Sequence, residues 1–396
     1  MRSGLSEGGD MRRRDDLVFS MAEYERRLGN LRAEMERRAL DAVIITTPEN
    51  LFYLTGYQTP GYYYFQCLVV PLEGEAFMVT RLLEDSNVQT RTWVEYSRPY
   101  ADTDSPIGSL HMAMSEFGLS RARIGYEKSS YFFRAGEQEQ LIFAMEEAHL
   151  QDCTGIVESL RLIKSPDEIA MMREAGKTTM AGMQAGIDAT RAGISENDIA
   201  AEIHYAMIKA GSHYPAISPF VASGWRCAVG HATWEDRIIQ DGECVFLEVG
   251  GCRNRYHAPM MRTVVCGEIR DEVAEAEEVI NEAVAVARAE MRPGITAGDI
   301  DHMCRQYLAR YSKGGTQSTR SGYSVGIAFA PDWGEGHILS IQPDEHRYLE
   351  ENMTFHLIPW LQVPGIAGVG ISETVLVTKD GCETLFDGFD RKVISK

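Results

Sequence analysis

In the stretch AEYERRLGNLRAEMERRAL (22–40), apolar residues recur near helical spacing among dense charge, which predicts an amphipathic surface helix. LDAVIITT (40–47) follows as an apolar run and reads as a buried strand. PENLFYLTGYQT carries turn residues and reads as a strand-end loop. QCLVVPLEG and EAFMVTRL form a predicted hairpin turning at Glu73-Gly74. ARIGYEKSSYFF and a helix near 136–148 continue the strand–helix alternation, so residues 21–158 are expected to form an α/β domain. The polar, irregular residues 1–20 before it are expected to be a flexible arm.

A different pattern begins at IKSPDEIAMMREAGKTTMAGMQAGIDA. Ser165-Pro166-Asp167-Glu168 is a helix start, with serine at the N-cap, proline in the first turn and acids at the positive end of the helix dipole. GISENDIAAEIHYAMIKAG predicts a second helix, capped at Ser195–Asp198, and strands occupy roughly 243–250 and 255–266. The order then repeats, with helices at 271–291 and 298–312 and strands near 353–363 and 371–378. Two successive helix–helix–strand–strand blocks predict a duplicated α+β domain over 159–396, with a site between its halves.

Composition narrows the function classes. A chain of 396 residues needs more than one simple core. Its net charge of −19 argues against nucleic-acid or anionic-membrane partners, which require a basic face. The eight cysteines include no CxxC pair, so they read as reduced thiols and not as a disulfide frame or zinc knuckle. No apolar segment follows the basic MRRR, and no run of about 18 apolar residues occurs, so a cytoplasmic protein is expected. GGCRNRY lacks the glycine spacing of a nucleotide loop.

The segments LFYLTGY (51–57), LIKSPDEIAMMREA (162–175), GHATWEDR (230–237), FLEVGGCRNRYHAPMMRT (246–263) and ISETVLVTKDG (371–381) together resemble the pita-bread superfamily of creatinase, aminopeptidase P and methionine aminopeptidase. The resemblance covers nearly the whole chain. It implies a creatinase/prolidase-type N-terminal α/β domain followed by a pita-bread catalytic domain, and a homodimer in which the N-terminal domain of one subunit approaches the other's active site. In metal-dependent members two Asp, one His and two Glu hold two divalent ions. By motif those positions fall here on Glu248, Pro259, Tyr323, Ile358 and Ser372, a set that cannot supply the four to six oxygen or nitrogen ligands such ions need. No metal and no other cofactor is therefore expected. HATWEDR, FLEVGGCRNRYHAPMMRT, SGYSVGIAFAPDWGEG, MTFHLIPW and GISETVLV are similar to stretches of the bacterial ectoine hydrolases, which open a cyclic amidine to N-acetyl-diaminobutyrate. YFQCLVVPLEG extends that similarity, and TPGYYY (59–64) departs from it, at the loop expected to lie near the neighbouring subunit's pocket.

The resemblance implies metal-free opening of ectoine or hydroxyectoine, a small zwitterionic amidine. The alternatives are a creatinase-like hydrolase of another amidine or guanidino solute and a non-catalytic ligand-binding relative. A protonated amidine is already an electrophile, so a Lewis acid is dispensable in a way it is not for a peptide bond. Glu248, on a strand end, is expected to pair with the cation and to attack its carbon or activate water. His231 is expected to move protons. Tyr323, Asp332, Trp333, His257, His356 and Glu373 are the expected substrate-binding residues. Tyr323 would donate where a metal histidine stood, and Asp332-Trp333 would set an anion beside an aromatic face. His257 and His356 sit on apolar strands, where a core role is equally open. Glu373 has Arg262 as a competing partner.

Overall fold

The computed structural model describes residues 11–313 and 320–396. It divides into two compact units that part after Arg161. The first is built on a six-stranded mixed sheet in the order Tyr96–Ser97, Phe77–Val79, Cys67–Pro71, Ala42–Ile45, Arg123–Tyr126, His149–Asp152. The predicted hairpin pairs Cys67 with Val79 and Val69 with Phe77. The predicted surface helix spans Met21–Arg37, capped by the Ser20 side chain, and buries Tyr24, Leu28, Leu31 and Met35.

PENLFYLT is not a loop. Pro48–Thr55 is a helix, with Thr47 at its N-cap, proline in the first turn and Gly56 ending it at φ +82°. The same Pro and Gly that suggest a turn are here a helix start and a left-handed stop, positions both residues favour. Of the expected arm, residues 1–10 lie outside the described residues. Residues 11–20 are fastened to the first unit. The Arg12 backbone N–H donates to the Trp93 carbonyl at 2.9 Å, and its guanidinium donates to the carbonyls of Gln89 and Thr92.

The second unit contains the two predicted helix pairs, Pro166–Ala189 with Glu196–Lys209 and Asp271–Glu290 with Ala297–Leu308. Ser165, Ser195 and Thr296 each close a capping box with the acid three residues on. Three sheets accompany them; the smallest pairs Trp360–Val363 with Ala367–Gly370, so the single strand expected near 353–363 is two strands in different sheets, and the other two carry the site. One of these has four strands, ordered Ile394–Ser395, Tyr256–Val265, Cys244–Arg253, Phe220–Ser223. The other has five, ordered Ser340–Ile341, Gly322–Ser324, Thr354–Leu357, Glu373–Val377, Cys382–Thr384. These two sheets meet where 259–263 runs beside 370–374. There the Met261 N–H donates to Ser372 Oγ at 2.6 Å, the Ser372 N–H to the Met261 carbonyl, and Thr374 Oγ1 to the Pro259 carbonyl. Among the described residues no helix is long and apolar enough to cross a membrane.

Candidate active site

The site lies where the two sheets meet. In the four-stranded sheet Phe220 is paired with Glu248, and Glu248 with Met261, so the three side chains share one face. Gly250 lies two residues along on that face and is paired with Pro259. A Cβ on Gly250 would fall 2.6 Å from the Trp333 indole, so glycine is what lets the ring lie against the strand. On this face Phe220, Glu248 and Met261, and Tyr323 of the other sheet, keep 7–8% exposure, whereas Leu247, Val249 and Met260 on the opposite face keep none.

Glu248 makes no side-chain hydrogen bond or ion pair with any described residue. Burial raises its pKa to about 8, helped by the Asp332 carboxylate. Around it stands an ordered hydrogen-bond chain. Trp333 Nε1–H donates to the Tyr323 hydroxyl at 2.9 Å. That hydroxyl lies 2.8 Å from His356 Nδ1, and His356 Nε2 lies 2.6 Å from Ser372 Oγ. Tyr323 and His356 are directly opposite in the sheet. Burial, with the Arg320 and Arg262 cations, pushes the His356 pKa down to about 3, so the ring is neutral near pH 7.

His231 is exposed, at φ +58°, and stacks on Phe220 with ring centroids 5.6 Å apart. Phe220 in turn meets Trp333 edge-on. The His231 loop hangs from buried Glu196, which accepts from Arg226, from the Ser223 N–H and hydroxyl, and from the Glu235 N–H. Arg226 also donates to the Thr233 carbonyl at 2.7 Å. Asp332 is exposed, and its carboxylate accepts from the Gly334 N–H while adding negative charge near Glu248.

Two of the expected binding residues are engaged elsewhere. His257 has no exposure, its Nε2 accepts from the Ala216 N–H at 3.0 Å, and its Nδ1 lies 2.9 Å from the Arg255 carbonyl. Those bonds fix one tautomer and brace the loop before Phe220, leaving neither nitrogen for a ligand. Glu373 accepts from Arg262 at 3.0 Å and from the Thr384 hydroxyl. The other side chains, Glu248, Tyr323, Trp333 and His356, are brought together, with Asp332 at the edge and His231 joined to them through Phe220.

Sequence reasoning passed over Phe220 and Ser372. Ser372 counted there as a lost ligand, and no local signal could have found its bond to His356, which lies in a different segment and is set by strand register. The five positions the family resemblance gives to metal ligands offer one carboxylate, one phenol and one serine hydroxyl, and the latter two are committed to His356. Among the described residues no three His, Cys, Asp or Glu side chains gather as a metal site. The donor set does not fit a divalent ion.

In the tyrosine-rich departure (59–64), Tyr62 meets Phe132 edge-on at 5.3 Å, Tyr63 is exposed and Tyr64 lies against the Arg81 guanidinium at 4.2 Å; Phe65, just after it, is core.

Comparison with known proteins gives consistent matches. Residues 170–379 match the model of metallopeptidase family M24, and 27–163 that of the creatinase/prolidase N-terminal domain. The chain is 33% identical to an ectoine hydrolase of Halomonas elongata, over 96% of this chain and 99% of that one. It is 32% identical to an uncharacterized hydrolase/peptidase of Sinorhizobium fredii, covering 93% and 96%. Among solved structures, a prolidase from Thermococcus sibiricus superposes with TM-score 0.84 at 24% identity, covering 96% of this chain and all of that one. A dipeptidase from Pyrococcus horikoshii gives TM-score 0.80 at 25% identity, covering 93% and 100%.

Proposed function

We propose that this chain, which belongs to metallopeptidase family M24 and has that family's pita-bread catalytic domain behind a creatinase/prolidase N-terminal domain, opens the cyclic amidine of ectoine to N-acetyl-2,4-diaminobutyrate without a metal ion. Glu248 is the observation that carries the reading. A buried carboxylate with no cationic partner among the described residues is unfavourable by itself, and a substrate bearing its own positive charge relieves it. The likeness to an ectoine hydrolase supplies the particular cation.

In this reading the amidinium lies against Glu248 with the Phe220 and Trp333 rings nearby. Glu248 drives addition at the amidine carbon, as nucleophile or as base for water. The water oxygen ends in the acetamide carbonyl, one ring C–N bond breaks, and its nitrogen leaves as an amine that takes a proton. His231, stacked on Phe220, handles that proton. The enzyme works as a cytoplasmic homodimer, and a sedimentation run giving only monomer refutes that part. A carboxylate reads charge and not the ring, so a creatinase-like hydrolase of another amidine or guanidino solute is the second reading.

Proton NMR of ectoine with chelator-treated, metal-assayed protein tests both. Ring-opened product at far less than one metal per chain supports the first reading. Unchanged ectoine with turnover of creatine or another guanidino solute supports the second. Ligand binding without turnover of any of them makes the protein a non-catalytic relative.

A further inference from the structure

The hydrogen-bond chain from Met261 to Trp333 has a definite polarity. Neutral His356 carries one ring proton, and two arrangements are available. If the proton is on Nε2, it points at Ser372 Oγ, which already accepts from the Met261 N–H. The serine hydroxyl must then donate elsewhere, yet Ser372 has no exposure and no further acceptor among the described residues. If the proton is on Nδ1, the Ser372 hydroxyl donates to Nε2, and Nδ1–H donates to the Tyr323 oxygen. That oxygen also accepts from Trp333. Tyr323 then has its own O–H left, and Tyr323 keeps slight exposure beside Glu248. Only the second arrangement leaves no buried donor unsatisfied on the closed side of the chain.

We infer that Ser372, acting through His356, is a positioning residue that fixes the Tyr323 hydroxyl as a hydrogen-bond donor into the site, so that the site selects ligands with an acceptor next to their positive charge. The inference rests on the reading of Glu248 as the cation's partner. It narrows the substrate class to zwitterions, in which a carboxylate close to the cation meets Tyr323 while the cation meets Glu248. A cation without a neighbouring acceptor would leave the phenol proton unpaired in the bound state.

Two measurements on the full chain test it. Long-range proton–nitrogen NMR of histidine-labelled protein, with His356 identified by its disappearance in His356→Gln, reads the tautomer without any ligand. A protonated Nδ1 is expected, and a protonated Nε2 overturns the assignment whatever the substrate proves to be. Calorimetry in the slow His231→Ala background then compares ectoine with its decarboxylated ring, 2-methyl-tetrahydropyrimidine. That background should prefer ectoine by about tenfold or more, Ser372→Ala and Tyr323→Phe added to it should each lose that preference, and Ser372→Thr should keep it. A preference unchanged in both Ser372→Ala and Tyr323→Phe refutes the positioning role. Failure of ectoine to bind, with Nδ1 protonated, overturns the cation reading and the zwitterion class and leaves the donor assignment standing.

Discussion

The Glu248 carboxylate acts on the Tyr323 hydroxyl by charge and not by a hydrogen bond. Burial raises the phenol well above its usual range, and the charge of Glu248 raises it further. Glu248 is itself held at about 8, against 4.5 for an ordinary glutamate. Below pH 4.5 the folded and unfolded chains both hold this proton, and stability is unaffected. Between 4.5 and about 8 the folded chain keeps a proton the unfolded chain has released, so stability falls as pH rises. Above about 8 the whole cost is present, of order a few kcal/mol. Glu248→Gln should therefore melt higher than wild type at pH 8 and match it near about pH 4.5. Equal melting temperatures at both pH values would mean the carboxylate is not isolated.

The same proton must leave when a cation binds. Near neutral pH, binding of ectoine should release close to one proton per site, and affinity should strengthen by up to about tenfold per pH unit up to about pH 8. Calorimetry of the slow His231→Ala variant in buffers of different ionisation enthalpy measures the release directly. A binding heat that does not depend on the buffer would separate the ligand's charge from Glu248.

His231 makes no side-chain hydrogen bond to a described residue and is exposed, so its removal should leave the fold intact. His231→Ala is expected to lower kcat by about 10²–10⁴, the usual worth of a positioned acid or base, with little change in melting temperature. Glu248→Gln should likewise abolish turnover in folded protein. Full activity in either variant removes that residue from the mechanism. Glu196→Gln offers a contrast. It weakens the anchor of the His231 loop, so kcat should fall part of the way while the pH profile keeps its shape.

Much of the fold was legible because its signals are local. The cap boxes at Ser165 and Ser195 and the apolar period of 271–291 fix helices whatever surrounds them. PENLFYLT misled because proline and glycine punctuate both turns and short helices, and only packing decides between them. The site was legible in part. FLEVGG suggests a strand end for Glu248, whereas the strand runs on to Arg253 and Glu248 is internal to it; its isolation depends on what the neighbouring strands leave out, and no single segment records that. His257 was ambiguous for the same reason, since both its partners, Ala216 and Arg255, are backbone groups set by the tertiary fold. Ser372 could be named as an unsuitable metal ligand from sequence. Its bond to His356 needed the register of two strands.

Glu373 separates a structural from a binding role most sharply. Its carboxylate meets Arg262, whose guanidinium also donates to the carbonyls of Met261, Ser372 and Asp390. Arg262 has no exposure, and burial lowers its pKa despite the Glu373 anion. Removing the anion leaves a buried cation unpaired, which commonly costs about 3–5 kcal/mol. Glu373→Ala is thus expected to lower the urea midpoint of the first unfolding transition, while the protein that remains folded binds ectoine with unchanged affinity. Glu373→Gln should recover part of the loss, because an amide oxygen still accepts from Arg262 without its charge. Wild-type stability with lost ectoine binding in Glu373→Ala would instead assign Glu373 to the ligand.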